Sequence, residues 1–120
     1  MSASGDVVKQ FYDAVMRRDL TAARKLLDDG HVFVGLFETY PSPEAYLRAL
    51  AGLLQITVRI EPRVIVGEGD NAAIFFELET KAPAEANTLV AEWHQVRNGK
   101  IFRSRSCFDG RPFAAMFGAG

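Results

Sequence analysis

The residues best suited to chemistry lie in one stretch, Asn87 to Asp109, NTLVAEWHQVRNGKIFRSRSCFD, which reads as two strands folded back on each other at Asn98-Gly99. Glu92 and His94 stand two residues apart, the spacing that sends both side chains to one face of a strand. A carboxylate beside an imidazole is an acid/base pair. The imidazole is the natural proton carrier, because its ordinary pKa of ~6.5 lies near working pH, whereas a carboxylate must be desolvated to serve as well. His94 is therefore expected to move a proton and Glu92 to orient it, the two titrating as a coupled pair. Ser104 and Ser106 repeat the spacing beyond the turn and could hold a carbonyl or hydroxyl oxygen.

Where these side chains point depends on the turn. A two-residue type I′ turn sets Arg97 opposite Lys100, Glu92 opposite Arg105 and His94 opposite Arg103, a solvated face of paired charges. A three-residue loop, Arg97 to Gly99, pairs Val96 with Lys100 and brings Glu92 opposite Ser104 and His94 opposite Phe102. The residues alone leave both open.

Other polar residues weigh less. Glu77 and Glu79 could face inward with Glu92, but the opposite register turns Ile74, Phe76 and Leu78 toward a core and is preferred for that reason. Glu77, Glu79, Glu92 and His94 form a ligand set for a divalent ion on paper, yet alternating Glu and His is no metal motif, and no metal is expected. His31 opens a strand after a glycine and reads as a surface or rim residue. Cys107 is the single cysteine, so no internal disulfide forms; it reads as a buried or half-buried strand residue rather than a nucleophile.

The elements that position these residues follow in order. Asp6 can cap a helix with Val8, Phe11, Tyr12, Val15 and Met16 at helical spacing, running to about Arg18. Asp19 caps a second, Leu20 to Asp28, with Gly30 just past its end, and His31 to Phe37 suits a strand. Ser42-Pro43 opens a third helix, to about Leu54. From Thr57 the period becomes that of strands. Thr57 to Val66 contains Pro62, which demands an edge or a bulge, and Ala72 to Thr80 precedes the hairpin. Arg111 to Gly120, with Phe113, Met116 and Phe117, is too apolar for a free tail and is expected to pack back on the domain or on a partner. The order predicts an α+β fold with helices on one face of a curved sheet.

A chain of 120 residues, 48% hydrophobic, is expected to form one domain spanning 1–120. Its 14 basic against 15 acidic residues offer no surplus for nucleic acid. The opening MSASGDVV lacks the basic and apolar regions of a secretory signal, and no apolar run approaches the ~20 residues that span a bilayer. A cytoplasmic protein with no membrane partner is the expectation.

The segment AEWHQVRNGKIFRSRSCFDGRPF, with RRDLTAARKLL near the start and SPEAYLRAL in the middle, resembles the nuclear transport factor 2-like superfamily. Within it the chain looks like SnoaL-like proteins, relatives of polyketide cyclases, ketosteroid isomerase and limonene epoxide hydrolase. The resemblance spans nearly the whole chain in element order. It implies a cone of the cystatin-like kind, three N-terminal helices and a curved mixed or antiparallel sheet around an apolar cavity, in a homodimer built on the convex face. Turns in such relatives favour the three-residue loop, hence an inward Glu92 and His94, with Arg97, Arg103 and Arg105 outside, stacking on Trp93. The resemblance implies Phe11, Tyr12, Phe33, Tyr46, Phe102, Ser104, Ser106, Phe108 and Asp109 as contacts for a small apolar molecule.

Matched residue by residue, the isomerase's tyrosine position falls on Phe11, with Tyr12 beside it, and its base position on Gly35, while its third acid is kept in kind as Glu92. That enzyme is a standard case of carboxyl groups tuned by an apolar site. The hydrolase's catalytic aspartate falls on Ser106, and Asp109 matches its final, non-catalytic one. With both bases missing, His94 remains. The resemblance thus implies isomerisation, cyclisation, dehydration or epoxide opening without a cofactor; the alternative is a non-catalytic ligand-binding or interaction domain.

Overall fold

Serine and aspartate caps start all three helices in the computed structural model, which describes residues 2–117. Helix α1 is Ala3–Met16, capped by Ser2, whose hydroxyl accepts from Gly5 N–H at 3.1 Å. Asp6, expected as the cap, lies instead in the first turn, where its carboxylate complements the positive helix end. Helix α2, Leu20–Lys25, starts at Asp19, whose side chain accepts from Ala22 N–H at 3.0 Å. It ends three residues before the expected Asp28, because Leu26 already gives its carbonyl to Ile101 N–H at 2.8 Å and the chain joins the sheet there. Gly30 consequently falls inside a strand. Helix α3, Pro43–Ile56, has Ser42 as its cap and proline at its first position, as the sequence indicated.

The strands are β1 Leu27–Val34, β2 Thr39–Tyr40, β3 Thr57–Glu68, β4 Asn71–Thr80, β5 Ala86–Arg97 and β6 Lys100–Cys107. They form one mixed sheet in the order β2-β1-β6-β5-β4-β3, with β1 parallel to β6 and the other neighbours antiparallel. Pro62 sits on the edge strand β3, next to a register shift between Pro62 and Val64, the place a residue without an N–H can occupy. The sheet curves, and the helices fill its concave side over a core that includes Val8, Phe11, Val15, Leu27, Ile74 and Ile101, each at most 1% exposed. The fold is an α+β cone. Among the described residues no helix is long and apolar enough to cross a membrane.

The β5–β6 hairpin starts in the first register read from the sequence and, past its turn, follows neither of the two. Asn98 and Gly99 both have positive φ, 55° and 73°, so the turn is the two-residue type I′ and Arg97 pairs with Lys100. A bulge follows at once: Val96 pairs with Ile101 but Gln95 with Arg103, which leaves Phe102 as the extra residue. That insertion reverses the faces. His94 comes opposite Ser104 and Glu92 opposite Ser106, all on the concave side, while Trp93, Arg103 and Arg105 are exposed on the convex side. The three-residue loop is therefore not formed, although the inward orientation it was invoked for is. The guanidinium of Arg97 lies over Phe102 at 4.2 Å from the ring centre rather than over Trp93. The indole N–H donates to Asn71 Oδ1 at 2.9 Å. Cys107, expected to be at least half-buried, is exposed opposite Ala91.

Beyond β6 the segment Arg111–Phe117 forms a short 3-10 helix. Phe113 is buried and Phe117 stacks on Phe37, ring centres 4.7 Å apart, so this part packs back on its own chain; Gly118 to Gly120 lie outside the described residues.

Candidate active site in the cone

Between the helices and the concave sheet face lies a cavity of about 340 Å³, within the range of small-molecule sites. Its wall is almost wholly apolar. Phe33 and Tyr46 stack with ring centres 4.3 Å apart and planes 10° from parallel, and Tyr12 packs against Phe76 at 5.1 Å. Leu36, Phe37, Met116 and Phe117 belong to the same lining, with Glu38 as an exposed carboxylate. Deeper in, Glu92 is 6% exposed.

The carboxylate of Glu92 is held from two sides. Its Oε1 accepts from the Tyr12 hydroxyl and from His94 Nε2, the latter at 3.0 Å, while Oε2 takes no donor among the described residues. Burial, and then the nearby Glu92 charge, push the Tyr12 phenol well above its ordinary pKa, so it stays a donor. The Tyr46 phenol is raised by the same two causes, burial first. The Tyr46 hydroxyl stands beside the Tyr12 hydroxyl, within its hydrogen-bonding reach, and near the Glu92 carboxylate. One carboxylate oxygen fixed by two donors, one left for the cavity and a second phenol beside them form a site that can take a proton from a bound molecule and hold the oxygen that gains charge.

Behind Glu92 the polar chain continues. His94 Nδ1 meets Ser104 Oγ at 2.7 Å, and Ser104 Oγ meets His31 Nε2 at 3.0 Å. Three of these residues are at most 1% exposed, and none of the three lines the cavity. His31 was expected at the surface or rim. It is buried because β1 begins at Leu27, which makes His31 an inward position two residues before Phe33. That spacing was the signal available in the sequence. Burial, reinforced by His94, lowers the His31 pKa to about 4, so this ring is neutral at ordinary pH.

The residues expected at the site thus divide. Glu92, Tyr12, Phe33, Tyr46, Ser106 and Phe108 line the cavity. His94 and Ser104 stand behind the wall. Phe11 lies in the core, edge-on to Tyr12 at 5.3 Å, and Phe102 is the bulge residue under Arg97. Asp109 is exposed and paired with Arg111, which holds its carboxyl down at about 2. A Cβ at Gly35 would lie 2.8 Å from the Glu38 carbonyl oxygen, so this tight turn admits no side chain where the isomerase keeps its base. Glu77 and Glu79 face the convex side, paired with Arg63 and Arg59, while Ile74, Phe76 and Leu78 are buried. The four-residue ligand set is therefore split between two faces, and among the described residues no three His, Cys, Asp or Glu gather as metal ligands.

A family model described as a SnoaL-like domain matches residues 8–104. The chain belongs to the SnoaL-like family. No curated protein sequence matches this SnoaL-like chain. Among solved structures it is similar to a protein from Kribbella flavida DSM 17836, with 22% identity over 99% of this chain and 97% of that one and a TM-score of 0.87. A candidate polyketide cyclase from Sinorhizobium meliloti has 18% identity over 85% and 94%, with a TM-score of 0.77. TerC, co-crystallised with polyporic acid, has 17% identity over 98% and 99%, with a TM-score of 0.81. Other similar structures are described as NTF2-like, which agrees with the SnoaL-like cone. Likeness at these identities carries the fold.

Proposed function

We propose that the cone binds a small, mostly apolar molecule and that Glu92 moves a proton on it, in an isomerisation, cyclisation, dehydration or epoxide opening. The observation that carries this reading is the half-occupied carboxylate: Oε1 is fixed by Tyr12 and His94, and Oε2 is unpaired at an apolar cavity. From residue type alone His94 is the expected proton carrier. His94 is instead a positioning residue in this reading, because its two ring nitrogens are engaged by Glu92 and Ser104 and it does not line the cavity. Tyr46, which lines the cavity beside Tyr12, supplies a donor for the substrate oxygen, and Ser106, opposite Glu92, a second polar contact. Among the described residues no lysine or arginine lines the cavity, which favours an uncharged or cationic ligand over a carboxylate or phosphate. Family membership and the likeness to a candidate polyketide cyclase support a cyclic ketone, enol or phenol. Such a step needs one base and placed donors, and no cofactor enters it.

A panel of ketones, epoxides and polyketide-like compounds tests the reading by turnover and by binding. Turnover that falls on Glu92→Gln while ligand affinity persists is the expected result. Turnover unaffected by that substitution overturns the assignment of the base, and binding without turnover in the unsubstituted protein favours a non-catalytic binding domain.

The convex face belongs to the same proposal. Val64, Val66, Phe75, Leu89 and Trp93 are each at least 38% exposed there, an apolar surface that a second copy of the chain would cover. Sedimentation at micromolar concentration is expected to give a dimer, and a clean monomer removes that part.

A further inference from the structure

The buried chain behind Glu92 has a direction. A serine hydroxyl carries one proton, and Ser104 Oγ stands between two ring nitrogens, His94 Nδ1 at 2.7 Å and His31 Nε2 at 3.0 Å. If Ser104 donates to His94, then His94 Nδ1 is bare, its Nε2 carries the hydrogen that reaches Glu92, and His31 donates to Ser104 from Nε2. Every contact is then a donor meeting an acceptor, both rings are neutral, and the one atom left over is the lone pair on His31 Nδ1. If Ser104 donates to His31 instead, the proton of a neutral His31 must sit on Nδ1. That atom is buried and has no partner among the described residues, so the arrangement strands an N–H. His94 would then carry hydrogen on Nδ1, and its Nε2 would either face the carboxylate as two acceptors or require an imidazolium.

We infer that His31, acting through Ser104, fixes the tautomer of His94 and so keeps a ring N–H on Glu92. The inference deepens the reading of Glu92 as the proton-moving group: His31 and Ser104 are positioning residues, and they set which proton the carboxylate's fixed oxygen receives. The orphaned nitrogen works as a latch. His94 can take a hydrogen on Nδ1 only if Ser104 turns away, and Ser104 can turn toward His31 only if His31 moves its single hydrogen to the nitrogen that nothing receives.

The test needs no substrate. In uniformly 15N-labelled protein, long-range proton–nitrogen correlation near neutral pH distinguishes a bare from a hydrogen-bearing ring nitrogen. The expected spectrum has His94 bare at Nδ1 and protonated at Nε2, with the same pattern for His31. A wild-type spectrum with hydrogen on His94 Nδ1 overturns the inference at once, before any variant is made. Ser104→Ala and His31→Leu are expected to shift the His94 Nδ1 resonance toward the hydrogen-bearing position, while Ser104→Thr, which keeps the hydroxyl, restores the bare one. A His94 spectrum unchanged in both Ser104→Ala and His31→Leu, in variants whose amide spectra show an intact fold, also overturns it. Once a turnover substrate is in hand, Ser104→Ala should lower kcat with KM preserved and Ser104→Thr should recover it. If the tautomer shifts but no substrate turns over, the relay stands and the catalytic reading fails, so the two outcomes separate.

Discussion

Glu92 and Glu77 occupy adjacent central strands of one sheet, yet they live under different physics. Glu77, on the convex side, keeps 30% of its side-chain surface and is paired with Arg63; its neighbour Glu79, 44% exposed, is paired with Arg59. Water and guanidinium groups satisfy these carboxylates together, and neither can act on a buried ligand. Glu92, on the concave side, is 6% exposed and has no lysine or arginine partner among the described residues; its donors are a phenol and an imidazole. A charge held by neutral donors in an apolar cavity remains available to accept a proton, while one held by arginine in water is already satisfied. Residue type thus says little here, and the face of the sheet says most.

The largest contrast expected is in turnover. Glu92→Gln keeps the size and one acceptor oxygen but removes the base, and should lower kcat by about 10²- to 10⁴-fold on any substrate found, while Glu77→Gln leaves it unchanged. Equal effects of the two substitutions would break the comparison. The next contrast is in stability. Ile74 is fully buried and Phe75, its neighbour, is 38% exposed on the other face. Ile74→Ala should cost about 2–5 kcal/mol in urea unfolding. Phe75→Ala should cost less than about 1 kcal/mol in samples dilute enough to be monomeric, the range of surface changes away from special features. Its cost should rise with protein concentration, because the proposed dimer covers that face; equal costs for Ile74 and Phe75 in the dilute monomer would break the comparison.

A third contrast lies in pH. His31 has a folded-state pKa of about 4 against an ordinary 6.5, lowered by burial first, with His94 and Arg24 acting in the same direction and Asp28 the other way. As pH falls from 6.5 toward 4 the unfolded chain takes up a proton that the folded chain refuses, so stability is present above that window and is lost through it, by on the order of 3 kcal/mol. Asp29, Glu44 and Asp109 are shifted the same way, but from ordinary carboxylate values, so their losses begin at lower pH. Urea midpoints between pH 7 and pH 4 should fall for the wild type and much less for His31→Gln. A slope that survives in His31→Gln would assign the loss to another group.

Much of this architecture was legible in the residues. Ser42-Pro43 marked the start of α3, Pro62 marked an edge or a bulge, and alternation along β5 put Glu92 and His94 on one face, because each of these is a local rule acting on adjacent atoms. The register of β6 was harder. Asn98-Gly99 dictated its own turn correctly, yet a bulge at Phe102 reversed the consequence, and nothing in a pair of aligned strands announces where the extra residue goes. His31 was hidden by a boundary: ending α2 at Asp28 makes it the first strand residue, whereas the true start at Leu27 makes it an inward one. The division of labour between Glu92 and His94 was not readable at all. Both point inward, and which one touches the cavity depends on how deep each lies beneath α1 and on Tyr12, whose helix position gives no hint of its reach to Glu92.

The smallest expected effect sharpens the comparison most cheaply. Arg63 and Glu77 form an ion pair in contact with solvent, together with Glu61, and exposed pairs of this kind lose side-chain entropy nearly as fast as they gain attraction. Glu77→Gln should therefore move the urea midpoint less than any substitution above, and the movement should vanish near 1 M salt, where charges are screened beyond about 3 Å. Glu92→Leu makes the opposite case. It leaves the Tyr12 hydroxyl and the His94 ring N–H buried without an acceptor, at a cost of about 1–3 kcal/mol each, and salt does not reach them. Measuring both variants in low and high salt gives one number that fades and one that persists. A Glu92 effect that faded with salt would mean water reaches this carboxylate as freely as it reaches Glu77, and the separation of the two faces would not hold.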